Sequence, residues 1–255
     1  MTEQKNAIVT LKEYGNNPAV KKRFEEVLKN RAPQFLASII NACNTNYSLQ
    51  KCEPSSVYGA GMVAAALDLP IDNNLGFAAI VPYGTKAQFQ MMWKGFVQLA
   101  IRSGQYKNLG VNSIYEDEVK TFDPITGDLE LTPVDQRKQR DNGDEKKIVG
   151  YYAWFELASG FKKTMYMTVK QVENHAKKYS SAYKSGRTDT PWVSMFDSMA
   201  QKTVLKLLLS KFGILSIEMQ KAITSDQAVL KEDGSIDAYI DHDAKKEPAK
   251  PVVED

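Results

Sequence analysis

The side chains that most often carry covalent or metal chemistry are sparse in this chain. His175 sits among lysines in a helix-like run and His242 lies near the chain end, and neither has a partner at catalytic or ligand spacing. Cys43 and Cys52 are the only cysteines. Two thiols make neither a disulfide framework nor a zinc set, which fits a reducing cytoplasm. Glu116, Asp117 and Glu118 are consecutive acids at the end of a strand-like stretch. They could hold a divalent ion for hydrolysis; the plainer reading is a solvated edge that discourages sheet-to-sheet pairing. Gly84-Thr85-Lys86 lacks the full phosphate-loop pattern and leads into a strand, so nucleoside triphosphate binding is not expected. Gly59 and Gly61 lack the third glycine and the preceding strand of a dinucleotide fingerprint. No cofactor and no catalytic set is expected.

Cations interleaved with aromatics are the stronger signal. Lys162, Lys163, Lys170, Lys177, Lys178, Lys184 and Arg187 alternate with Tyr166, Tyr179, Tyr183 and Trp192. Lysine and arginine neutralise phosphates, and aromatic faces stack on unpaired bases. Any one of these lysines is more simply a solvated surface group, and Trp192 is more simply core. The block as a whole is different. Residues 159–213 hold 10 basic and 3 acidic groups, net +7, within a chain of net charge +2. Residues 214–255 hold 5 basic and 10 acidic groups, net −5. A basic block before an acidic end points to a polyanion site and a solvated tail. Lys202 and Lys206 interrupt an otherwise apolar helix one turn apart, sharing a stripe with Ser198. Lys94, Gln98 and Arg102 share another.

The elements that must position these groups follow from periodicity. Leu75–Pro82 and Ala87–Trp93 are strand-like runs about a turn at 83–86, and Lys94–Ser103 is a short amphipathic helix ended by Gly104. Lys86 falls at the turn, with Arg102 and Lys107 flanking the helix end, so all three could approach one groove. Upstream, residues 1–15 are polar and expected to be loose. Helices are expected from the Asn17-Pro18 cap to Lys29, over Pro33–Asn44, and over Pro54–Leu67, the last with a thin Gly/Ala face for close packing. Downstream, Leu109–Phe122 alternates as a strand, 123–128 is a turn, Leu129–Val134 pairs back, and 135–147 is a polar loop. Ile148–Leu157 and Phe161–Met167 form a further hairpin. Thr168 with Gln171 is a capping box opening a helix to Tyr179. A polar loop spans 180–190, then one long helix runs from Trp192 to Phe212. A last helix covers 214–228, and the chain is expected to be disordered from Val229.

The fold class expected is α+β: an antiparallel sheet packed by helices, with N-terminal helices and an acidic tail. The division expected is a working domain over 1–213 and a partner-binding tail over 214–255 on which the core does not depend. No run of 18 apolar residues exists, and the N-terminus lacks the apolar segment of a signal peptide, so no membrane association is expected.

Several long stretches resemble the RecT family of phage single-strand DNA annealing proteins. They are RFEEVLKNRAPQFLASIINACN, the Pro54–Leu69 helix, GFAAIVPYGTKAQFQMMWKGFVQLAIRSGQYKNLGVNSIYEDE, YYAWFELASG and PWVSMFDSMAQKTVLKLLL. The resemblance covers roughly Asn17 to Gly213. It implies a β-β-β-α core and an ATP-independent protein that coats single-stranded DNA as a ring or helical filament and anneals it to a complementary strand. It also implies a partner 5′→3′ exonuclease, a host single-strand-binding protein contacted by the C-terminal part, and a place in the host bacterial cytoplasm. Carried onto this chain, Lys86, Lys94, Arg102 and Lys107 lie in the first motif and Lys202 and Lys206 in the second. Together with Lys178, Lys184 and Arg187 of the basic block they form the expected DNA-binding set. Annealing needs no bond chemistry, and it needs backbone binding that leaves base edges free. The competing classes are a metal-dependent nuclease using Glu116, Asp117 and Glu118, and a structural phage assembly protein that would form oligomers without salt-sensitive DNA affinity.

Overall fold

The computed structural model describes residues 2–72, 74–137, 147–188, 190–231 and 236–239. Most of the expected 135–147 loop, and the whole expected tail beyond 239, lie outside them. Five helices come first: α1 (Thr2–Asn16), α2 (Pro18–Leu28), α3 (Ala32–Thr45), α4 (Tyr47–Gln50) and α5 (Pro54–Ala66). The expectation that residues 1–15 are loose is corrected, because they form α1. The run is polar, but Leu11 is buried and its carbonyl accepts a hydrogen bond from the Tyr58 hydroxyl at 3.0 Å. One tertiary anchor supplies what periodicity does not show. α2 begins as its sequence demands: the Asn17 side chain accepts from the Ala19 amide at 2.9 Å, with proline in the first turn. α5 uses its thin face for close packing. A Cβ on Gly59 would stand 2.8 Å from the Leu230 carbonyl oxygen.

β1 (Ala78–Tyr83) and β2 (Lys86–Met91) pair antiparallel with Tyr83 opposite Lys86, so Gly84-Thr85 is a two-residue turn. Gly84 has φ +60°, the left-handed geometry that such turns need. The hairpin is anchored to the start of α5, where the Glu53 amide donates to the Thr85 carbonyl at 2.7 Å and the Ala87 amide to Ser56 Oγ at 2.9 Å. α6 (Trp93–Arg102) follows, and Gly104 ends it at φ +67°.

β3 (Tyr106–Tyr115) is shorter than the strand expected to reach Phe122. A single turn over 116–118 breaks it, held by Glu118 Oε2 accepting from the Tyr115 amide at 3.0 Å, and the chain turns into β4 (Val119–Phe122), which pairs with β5 (Leu129–Leu131). β6 (Ile148–Leu157) and β7 (Lys162–Thr168) then complete an antiparallel sheet of order β3-β6-β7. α7 (Val169–Tyr179) opens with the expected reciprocal Thr168–Gln171 cap. With the β4-β5 hairpin set aside, the chain order is β-β-β-α.

α8 (Ser181–Lys184) occupies part of the expected 180–190 loop. The single helix expected over 192–212 is two, α9 (Pro191–Ser194) and α10 (Phe196–Phe212), with Met195 at φ −140°, ψ 47° between them. α10 lies across the β3-β6-β7 sheet and against α6. The chain does not become disordered at Val229, a further correction. After α11 (Ile217–Ser225), β8 (Ala228–Leu230) and β9 (Ile236–Tyr239) extend the first hairpin into an antiparallel sheet of order β1-β2-β8-β9. Nor does the packed fold end at Gly213: Met219, Ala222, Ala228 and Leu230 belong to the one hydrophobic core that joins both sheets. Among the described residues no helix is long and apolar enough to cross a membrane.

Candidate nucleic-acid interface

The turn of the β1-β2 hairpin faces the segment that runs from the end of α7 into α9. The two are joined where the Tyr83 and Ser181 hydroxyls are hydrogen-bonded at 3.0 Å. Between them is a cleft of about 530 Å³ whose lining includes Lys51, Ala79, Pro82, Gly84, Arg187 and Met195. Of the basic block, Arg187 lines it. Lys178 on α7, Lys184 on α8 and Arg187 just beyond are all exposed, so three of the nine expected residues are gathered on one short arm. Lys178 Nζ lies 5.1 Å from the Tyr179 ring centre, and on the other side of the cleft Lys51 Nζ lies 4.6 Å from that of Tyr47. Lys51 was not picked out from the sequence, where it is a single lysine in an ordinary stretch; only the fold brings it to the cleft. Trp192 is core, as its sequence context implied: it is buried, with ring centres of Tyr183 and Phe196 at 6.1 and 5.9 Å.

The residues expected to share a groove from the first motif have separate partners. Lys86 Nζ donates to Asp237 on β9 at 2.9 Å, and that carboxylate lifts Lys86 above the ordinary lysine range. Arg102 donates to the Leu67 carbonyl at 2.8 Å and stands 3.9 Å from Asp68. Lys107 donates to Glu156 on the adjacent strand at 2.9 Å, and this hydrogen bond holds the Glu156 carboxyl low. Lys94 is exposed on the first turn of α6, 5.8 Å from the Trp93 ring centre.

Lys202 and Lys206 face inward. Lys202 is 3% exposed and donates to Asp226 Oδ1 at 2.8 Å; Lys206 donates to Oδ2 of the same residue at 2.6 Å. Asp226 Oδ1 also accepts the Met91 amide at 3.0 Å. One buried carboxylate therefore ties α10 to the edge of β2. Burial pushes Lys202 down to about 8, aided by the neighbouring Lys206 charge and opposed by Asp226. Burial alone would raise the Asp226 carboxyl, but the two ammonium groups outweigh it and hold it below the usual carboxylate range. A reason for two lysines on an apolar helix thus exists inside the protein. Their signal in the sequence was the i, i+4 spacing; Asp226 had none, standing in a stretch whose composition marked it as tail.

The run Glu116-Asp117-Glu118 is not simply a solvated edge, because Glu118 is buried as the cap described above. Among the described residues no group of three or more His, Cys, Asp or Glu side chains is arranged to hold a metal ion. Cys43 and Cys52 are both buried and free, and burial pushes their thiols up, to about 12 and about 11.

The chain resembles known proteins over most of its length. It is 49% identical over 229 residues to the uncharacterized protein YqaK of Bacillus subtilis (strain 168), covering 88% of this chain and 76% of that one. It is 26% identical over 224 residues to Protein RecT of Escherichia coli (strain K12), covering 83% of this chain and 78% of that one. The model of the RecT family matches residues 33–244, a span that takes in the hairpin, both sheets, the basic arm and the Asp226 ion cluster, and on these grounds the chain belongs to the RecT family.

Proposed function

We propose that this chain is an ATP-independent annealing protein that coats single-stranded DNA as an oligomer and pairs it with a complementary strand. At the family level, membership supports recombination by single-strand annealing. The observation that carries the finer reading is the cleft. It has Lys51 and Arg187 in its lining, the exposed Lys178 and Lys184 on the segment leading to Arg187, and no Asp or Glu among its described lining residues. Such a site attracts a polyanion through its backbone, without reading sequence.

In this reading Lys51, Lys178, Lys184 and Arg187 contact phosphates first. Lys86, Lys94, Arg102 and Lys107 supply further contacts. Lys202 and Lys206 act indirectly, by holding the core. The annealing domain runs through β9, and the sequence beyond Tyr239, with 5 acidic and 3 basic groups, docks an exonuclease and a single-strand-binding protein in the host cytoplasm.

The test mixes protein-coated oligonucleotide with its complement without nucleotide cofactor, follows duplex formation, and images the product by electron microscopy. Annealing without ATP on oligomeric complexes is expected. A requirement for ATP, or monomeric protein on the product, would overturn the reading.

A further inference from the structure

The cleft adjoins a smaller space of about 70 Å³, continuous with it through Val81, Pro82, Gly84 and Arg187, which line both. Two buried side-chain groups that line this space have no hydrogen-bond partner among the described residues: the Gln88 amide nitrogen and the Thr190 hydroxyl, on residues 4% and 6% exposed. Gln90, two residues along β2 and on the same face, donates only to Met199 Sδ at 3.1 Å, a weak acceptor. Polar groups are rarely left unpaired in a core, and sites that tolerate them are commonly functional. Val81, Pro82, Trp192 and Met199 give it apolar walls beside the polar Tyr83, Ser180 and Gln227, and no lysine or carboxylate is among its described lining residues.

These features select among the parts of a nucleotide. A phosphate drawn inside would lose its water to neutral neighbours, with the exposed Arg187 as the one cation among the described lining residues. A nucleobase is neutral and flat, and carries hydrogen-bonding atoms on its edge. We propose that this pocket receives the edge of one unpaired base per subunit, hydrogen-bonded by Gln88 and Thr190 and covered by the apolar walls. The proposal rests on the reading that the cleft binds single-stranded DNA. The space takes an edge and not a whole base, and the remainder of the nucleotide stays in the larger cleft. Every base presents an acceptor in the grooves, so the pocket does not select sequence. A base that pairs with a complement must leave it, so the pocket favours the unpaired strand.

The test compares binding of a thymidine oligonucleotide and an abasic oligonucleotide of equal length by wild type and Gln88→Leu/Thr190→Val, across a range of salt. On thymidine the variant is expected to bind roughly fivefold to tenfold more weakly, the scale of one or two hydrogen bonds. On abasic DNA the two proteins are expected to bind alike. The salt slope should be unchanged, because neutral groups release no counterions. The free variant should melt no lower than wild type, because an unpartnered polar group is removed. Should Gln88→Leu fail to fold, Thr190→Val alone carries the same comparison. Equal weakening on abasic DNA, or none on thymidine, would assign the two groups to a hydrated interior and overturn the proposal. Wild-type protein without salt-dependent affinity for either oligonucleotide would overturn the cleft reading, and this pocket with it.

Discussion

Asp226 holds more of the molecule together than any cation near it. Its carboxylate accepts from Lys202, Lys206 and the Met91 amide. Removing one partner of a buried ion cluster leaves the others charged and dry. Asp226→Asn should therefore cost about 3–5 kcal/mol in denaturant unfolding. A second expectation concerns pH. Lys202 is pushed down to about 8 from an ordinary value of 10.5, so between those values the unfolded chain binds more protons than the folded one. Stability of wild type relative to Lys202→Met should then rise with pH across that window, as paired melting curves would read. Asp226 works at the other end of the scale: its contribution is present above the usual carboxylate value and is lost as pH falls through its lowered folded value. None of this was legible from the lysines alone. A lysine on an apolar helix has two explanations, a surface ligand and a buried partner, and the spacing of Lys202 and Lys206 does not distinguish them.

Elements with strong local signals were legible. The β1-β2 hairpin, α6 with its Gly104 cap, the β6-β7 hairpin and the Thr168–Gln171 box all follow from period, turn residues and caps within a few positions. Elements stabilised by distant contacts were not. α1 depends on Leu11 meeting Tyr58, and β8 on pairing with β2 through Phe89 and Ala228. The cleft belongs to the second class, since Gln88 and Thr190 acquire their shared space only when a hairpin meets a segment about a hundred residues later. Two consequences can be measured. Truncation after Gly213 removes α11, β8 and Asp226 together, so it should yield an unfolded or aggregated product, whereas truncation after Tyr239 should retain wild-type melting and annealing. Gly59→Ala would press a methyl group against the Leu230 carbonyl, which is backbone, and should cost roughly 1–3 kcal/mol without changing DNA affinity per folded molecule.

Across the whole molecule, charge is sorted by region and the sorting was visible in composition. The net +7 of residues 159–213 is divided among an exposed arm beside the cleft, a buried cluster, and β7, where Lys162 meets Glu156 and Lys163 the Phe212 ring. Counterion release belongs to the exposed groups. Lys184→Ala with Arg187→Ala should flatten the dependence of log binding constant on log salt by up to about 0.7 per residue for a single strand. Lys202→Ala should lower melting and leave the slope of the remaining folded protein unchanged. An unaltered slope in the double variant would move the contact surface elsewhere.

The carboxylate that closes the core also sets a schedule for its synthesis. Asp226 bonds to Met91, 135 positions earlier in the chain. Until the ribosome has passed position 226, the nascent protein holds two inward lysines with no acid to meet, and β2 has one edge unpaired. Contacts of such separation form late and leave a sticky intermediate behind them. A message cut short before that codon would thus release a chain poised to join its edge to another.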